Sequence, residues 1–133
     1  MNEDLKALIQ YRLEQADESL EAAGLLYEHQ KFRPPISRAY YAMFYAVLAL
    51  LAIRSSITSK HSGVISRFDR DFVKTGHFDK HFSKWLHEAF DLRQRADYRE
   101  MFEIDAPRTH EIIEHAREFV AEIRRKISEG KLS

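Results

Sequence analysis

Three arginines, Arg93, Arg95 and Arg99, fall within seven positions of one another, and Asp97 and Tyr98 lie among them. Steps of three and four from Phe82 run through Leu86, Ala89, Arg93 and Ala96, so a helix here carries Arg93 on its apolar face. A guanidinium in that place is costly unless a carboxylate, a phosphate or a water-filled cleft meets it. Two readings stay open. One is an ion pair holding helices together, with an acid of the first helix as the partner. The other is an anion site, because arginine's planar fork matches phosphate oxygens.

Arg38 poses a similar question at the mouth of an aromatic stretch, with Tyr41 and Tyr45 following at helical spacing on its side. Such tyrosines either belong to the core with their hydroxyls tied off, or line a cleft where Arg38 meets a phosphate and a tyrosine meets a ribose or base. The seven histidines invite a metal reading that their spacing does not support. His77 and His81 could share a helix face, but no Glu-x-x-His or His-Glu-x-x-His is present, and Glu111 and His115 are four apart rather than three. Gly24, Gly63, Gly76 and Gly130 are isolated, so no glycine-rich phosphate loop exists, and nothing signals a nucleophile elbow. No metal and no cofactor is expected.

The elements that must position these residues are helical. A first helix is predicted over about Glu3–His29, where Leu5, Ile9, Leu13, Ala16, Leu20, Ala23 and Tyr27 recur at steps of three and four. Pro34-Pro35 opens a second, running to about Ile53 and apolar nearly all round. A helix without a polar face needs cover on several sides, which suggests a self-association surface. Arg54–Ser59 reads as a polar loop. A short third helix starts near Ser62 and ends at Thr75-Gly76, with Gly76 as C-cap. The fourth spans about Phe78–Arg99. Asp105 before Pro107 starts the last, which runs to about Ser128 and stops at Gly130. The expected fold is all-α: an antiparallel four-helix bundle with one short additional helix, dimeric, in a single domain spanning 1–133.

Composition agrees and narrows the function. Gly (4) and Pro (3) are too scarce for a β-sandwich. No cysteine is present, which removes disulfides, thiolate metal sites and a cysteine nucleophile, and fits a reducing, cytoplasmic setting. Lys plus Arg balances Asp plus Glu at 21 each, so bulk charge cannot coat nucleic acid and any phosphate must be held by a local cluster. The acidic, polar start predicts no secretory signal. The longest apolar run, Ala39 to Ile53, falls short of the ~18–20 residues of a bilayer span, so no membrane partner is expected.

Three stretches together resemble the HEPN family of small helical domains: Ser37-Arg38-Ala39-Tyr40-Tyr41-Ala42-Met43-Phe44; Lys60-His61-Ser62-Gly63-Val64-Ile65 with Phe68 and Phe72; and Leu92-Arg93-Gln94-Arg95-Ala96-Asp97-Tyr98. Their order and spacing are similar to the stand-alone bacterial and archaeal branch, over about residues 5–128. The resemblance implies a four- or five-helix bundle that dimerises and deals in nucleotides or RNA. Many members are metal-independent RNases that serve as toxins, paired with a small nucleotidyltransferase as antitoxin; others are non-catalytic nucleotide- or substrate-binding partners of such transferases. The RNases carry Arg, then four to six residues, then His near the end of the fourth helix, with two copies facing across the dimer. RNA supplies its own 2′-hydroxyl nucleophile, so the protein need only move protons and stabilise the phosphate. By this resemblance Arg93, Asp97 and Tyr98 are the catalytic candidates, and Arg38, Tyr41, Lys60, His61, Arg95 and Arg99 the nucleotide- or RNA-binding ones. The sequence departs from the pattern at one point: Tyr98 stands at the histidine spacing, and a phenol of pKa near ~10 is a poor proton shuttle. Some transferases of such pairs adenylylate a tyrosine near the motif, and Tyr98 is the position for it. Arg54, six residues, then His61 also fits the spacing, but outside the fourth helix, and is read as chance.

Overall fold

The computed structural model describes residues 3–54, 60–97 and 103–132, and among these it is all-α, with no strand. The helices are α1 (Glu3–Glu28), α2 (Pro34–Ile53), α3 (His61–Phe68), α4 (Lys80–Asp97) and α5 (Ala106–Glu129).

α1 buries Ile9, Leu13, Ala16, Ser19 and Ala23, one stripe of the 3.6-residue period, and its first-turn Glu3 and Asp4 suit the positive end of the helix dipole. It stops without glycine. Gln30 takes φ 60°, Lys31 N–H donates to Leu26 O at 2.9 Å and Gln30 N–H to Tyr27 O at 2.9 Å. That is the paired bonding of a left-handed C-terminal cap, here imposed on a residue with a Cβ. Pro34 and Pro35 then fill the first turn of α2, where a missing N–H loses nothing.

α2 is the centre of the bundle and touches all four other helices. Tyr40, Met43, Leu50 and Leu51 are at most 1 % exposed, and burying a large apolar side chain contributes about 1.5–3 kcal/mol. The helix has the bounds expected from Pro34-Pro35 to Ile53, and its apolar stretch is longer than the run from Ala39 suggested. At 20 residues it is long and apolar enough, by length and composition, to cross a membrane, but 61 % of that window is buried inside the bundle. Thr109 of α5, fully buried, donates its hydroxyl to the Phe32 carbonyl at 2.7 Å and fixes the α1–α2 connection to the start of α5.

The third element departs from a simple helix to Gly76. After Phe68 the chain widens into one π-helical segment, Asp69–Val73, closed by Lys74 N–H donating to Asp69 O at 2.9 Å. The Asp69 carboxylate accepts from Ser83 Oγ (2.6 Å) and lies 2.7 Å from His87 Nε2, which anchors this segment to α4. Gly76, at φ 87°, makes the turn that follows. α4 therefore begins at Lys80 rather than Phe78. At α5, Asp105 caps Arg108 N–H at 2.9 Å and Gly130, at φ 71°, ends the helix, both as read from the sequence.

Candidate functional site

The N-terminus of α3 and the last turns of α4 meet the aromatic face of α2. Tyr40 and Tyr41 are adjacent on α2 and so diverge by about 100° around the helix. Tyr40 is fully buried and Tyr41 partly exposed. His61, the first residue of α3, lies flat on Phe44, with ring centroids 4.3 Å apart and planes at 17°. Tyr40 Oη is 2.9 Å from His61 Nδ1, a bond that joins residues 21 positions apart. The edge of Tyr41 meets the same imidazole at 5.7 Å, and Phe90 closes on Tyr40 at 5.6 Å.

Arg93 completes the cluster from α4. Its guanidinium carbon lies 5.1 Å from the Tyr41 ring centroid and 5.7 Å from that of Tyr40, and a cation over aromatic faces is favourable by about 0.5–2 kcal/mol. Arg93 is thus held against the rings of α2, not paired to an acid of α1. Its acidic neighbour is Asp97, one turn on in the same helix, with Oδ2 3.1 Å from Nε. That oxygen is close enough for ion pairing but off the N–H axis, and the buried Nε–H makes no hydrogen bond. The Arg93 side chain is 22 % exposed and that of Asp97 46 %, so the pair opens to water.

The electrostatics follow from this packing. Burial pushes the Tyr40 hydroxyl far above the usual tyrosine range, with Arg93 opposing and Tyr41 adding to the rise. Burial first, and the Arg93 charge second, hold His61 below its ordinary value. At neutral pH the site therefore contains a protonated phenol, a neutral imidazole and a cation. His61 Nε2 has no hydrogen-bond partner among the described residues and is not buried. An arginine fork beside a neutral imidazole with one open nitrogen can hold a phosphate and exchange a proton with a group attached to it.

Of the residues expected at a site, Arg93, Asp97, Tyr41 and His61 come together. Lys60 precedes His61 at the N-cap position, exposed and in extended backbone. Arg95, exposed, is two residues from Arg93 and so lies about 200° around α4, on another face. Arg38 is exposed and lines a separate shallow groove of about 320 Å³ with Tyr45 and, from α1, Gln15, Glu18, Ser19 and Ala22. Tyr98 and Arg99 lie outside the described residues. Arg54 faces elsewhere: it donates to Leu132 O (3.0 Å) and Asp71 O (3.2 Å), and stacks 4.4 Å from the Phe72 centroid. Its spacing from His61 is therefore chance. His77 and His81 do not share a helix face, because His77 precedes α4 and lies by Arg54, whereas His81 pairs with Asp79. Tyr40 was legible only as part of an aromatic stretch; a buried hydroxyl beside a histidine 21 residues away has no local signal.

The sequence matches the HEPN domain family over residues 9–127. It is 37 % identical to a UPF0332 protein of Thermotoga maritima, with 98 % of each chain covered. It is 35 % identical to a Methanocaldococcus jannaschii protein named "Putative toxin MJ0605", over 97 % of this chain and 96 % of that one. A second protein of that organism, "Putative toxin MJ0142", is 41 % identical over 69 % of this chain and 63 % of its own.

Proposed function

Because the chain belongs to the HEPN family, we propose that it is the toxin-like component of a two-gene pair with a nucleotidyltransferase, a single-domain protein that binds RNA or nucleotide phosphate at Arg93 and cleaves RNA without a metal. The observation that carries this reading is the placement of Arg93: a cation held against Tyr40 and Tyr41, beside the neutral His61, with the half-exposed Asp97 as its one counter-charge among the described residues. An incoming phosphate displaces that carboxylate and satisfies the idle Nε–H. The toxin names of the two Methanocaldococcus relatives support the same reading. Homodimerisation is part of it. Tyr41, Tyr45, Leu48 and Ala52 form a half-buried stripe at steps of three and four along α2, a face that a second copy would cover.

One observation favours a second reading. Tyr98 stands where the active RNases of the family carry histidine, which suits a protein that binds nucleotide or substrate for its transferase partner without turnover. Purified wild type and Arg93→Ala, incubated with single-stranded RNA in EDTA, decide between them. Cleavage by wild type that is lost in the variant is the expected result. Arg93-dependent RNA or nucleotide binding without cleavage selects the binding partner, and binding unchanged in Arg93→Ala refutes both. Light scattering gives the oligomer mass, and co-purification with the nucleotidyltransferase tests the pairing.

A further inference from the structure

The family's Arg-then-His spacing does not account for the histidine in this site. His61 comes from α3, not α4, and is fixed twice, by the face of Phe44 at 4.3 Å and by Tyr40 Oη at 2.9 Å from Nδ1. Two contacts of this kind leave the ring no freedom to rotate, so the position of Nε2 is set by α2. That nitrogen makes no hydrogen bond among the described residues. The Tyr41 ring lies 5.7 Å from the imidazole and 5.1 Å from the Arg93 guanidinium carbon, so the imidazole and the cation flank the same side chain. A phosphodiester bound at Arg93 would therefore have the imidazole within reach of its adjoining ribose.

We propose that His61 is the proton acceptor for the 2′-hydroxyl of an RNA strand bound at Arg93, and that Tyr40 is its positioning residue. The proposal rests on the RNA-cleaving reading above. The partner of Nδ1 fixes which nitrogen can act. Nε2 accepts a proton only in the tautomer whose Nδ1 carries the hydrogen, and the Tyr40 hydroxyl oxygen can accept that Nδ1–H. The same bond serves when both nitrogens are protonated, so Nε2 can gain and lose a proton without the ring losing its anchor. Among the described residues, the charged and titratable groups facing His61 are Tyr40 and Tyr41 from α2 and Arg93 from α4, with Lys60 beside it in the chain and the Asp97 carboxylate held on Arg93. No carboxylate among them bonds the imidazole directly.

The step balances. The 2′-hydroxyl gives its proton to Nε2, O2′ forms a bond to phosphorus, and the P–O5′ bond breaks. The leaving 5′-oxygen takes a proton from His61, directly or through water. The products are a 2′,3′-cyclic phosphate and a 5′-hydroxyl, with no metal and no net water consumed.

The test compares wild type, His61→Asn and Tyr40→Phe on a short single-stranded oligoribonucleotide in EDTA, with binding and cleavage measured separately from pH 4.5 to 8. Asparagine can keep the bond to Tyr40 but has no counterpart of Nε2. His61→Asn is expected to cleave bound RNA about 100-fold or more slowly under saturating RNA, a loss beyond any change in its binding. The low-pH limb of the wild-type profile is expected below pH ~6.5, absent in His61→Asn and displaced in Tyr40→Phe. A carbethoxylation map on the folded wild type guards against misfolded variants: modification of His61, located by mass spectrometry, should block cleavage, and bound oligonucleotide should protect it. If wild type cleaves and His61→Asn cleaves equally fast, or if carbethoxylated His61 leaves activity intact, the proton role is overturned while the RNA-cleaving reading stands. If wild type does not cleave, both fall together.

Discussion

Thr109→Val tests how the start of α5 holds the helices that carry the site. Thr109 is fully buried, and its hydroxyl donates to the Phe32 carbonyl at 2.7 Å, the one tie between α5 and the α1–α2 connection that is a side-chain hydrogen bond among the described residues. Valine has nearly the same shape, so no cavity opens and no methyl is lost. The change removes the donor and strands a part-buried carbonyl, which costs about 1–3 kcal/mol. For a chain of 133 residues, an unfolding entropy of ~2.1 cal/mol/K per residue converts this to a fall in Tm of about 4–11 °C. Thr109→Ser is the control. It keeps the hydroxyl and loses one methyl, worth about 0.8 kcal/mol, or ~3 °C. Thermal unfolding followed by circular dichroism checks both. A valine variant as stable as wild type, or more stable than the serine variant, would refute the argument, because it would mean that the Phe32 carbonyl finds another donor at no cost.

Three further outcomes can be checked independently. Gln30→Gly should raise stability by about 0.5–1 kcal/mol, because the left-handed φ of 60° strains a residue with a Cβ; urea unfolding would show a higher midpoint at unchanged slope. His115 stacks on Trp85 at 4.2 Å with planes 7° apart, and burial, with a lesser contribution from Arg108, holds it below its ordinary value against the opposing Glu111, Glu88 and Glu118 carboxylates. His81 also meets the Trp85 ring, at 4.6 Å, so the comparison is made in a His81→Gln background: there Trp85 emission should titrate with a midpoint below pH ~6.5, and adding His115→Gln should remove that transition. The sign for stability is the same for His61 and His115. The unfolded state binds protons more readily, so their contribution is complete above pH ~6.5 and declines as pH falls toward the folded-state value. The double variant His61→Asn/His115→Gln should flatten that decline in chemical denaturation at pH 5 against pH 7.

The helix boundaries were legible where covalent structure enforces them. Pro34-Pro35, Asp105 with Pro107, and Gly130 act through φ, a missing N–H or a side-chain cap, all local properties. The π-helical segment was not legible, because Asp69–Val73 has an ordinary helical composition and the widening is set by what Asp69 and Phe72 meet elsewhere. Nor was the cap at Gln30, an exposed non-glycine residue in the left-handed region, which no residue-type signal marks. Arg93 shows the same division at the site. Its place on an apolar face followed from periodicity, but its neighbours did not. An acid of α1 was a reasonable partner by burial arguments, yet the rings of α2 and Asp97 of its own helix take that role. His61 was visible as a residue type in a motif. Its anchor, Tyr40, was visible only as core.

The central position of α2 also sets the order in which the site comes apart. Amide hydrogens in the middle of a helix covered on several sides exchange only when the whole molecule opens, whereas helix ends exchange through local fraying. Tyr40, Tyr41 and Phe44 belong to the first class. His61, at the first residue of α3, and Arg93, in the last turns of α4, belong to the second. Deuterium uptake should therefore report a slow-exchanging floor beneath two faster-exchanging walls. The site would then switch by release of an imidazole or a guanidinium from an unmoved aromatic platform, without any change in the bundle itself.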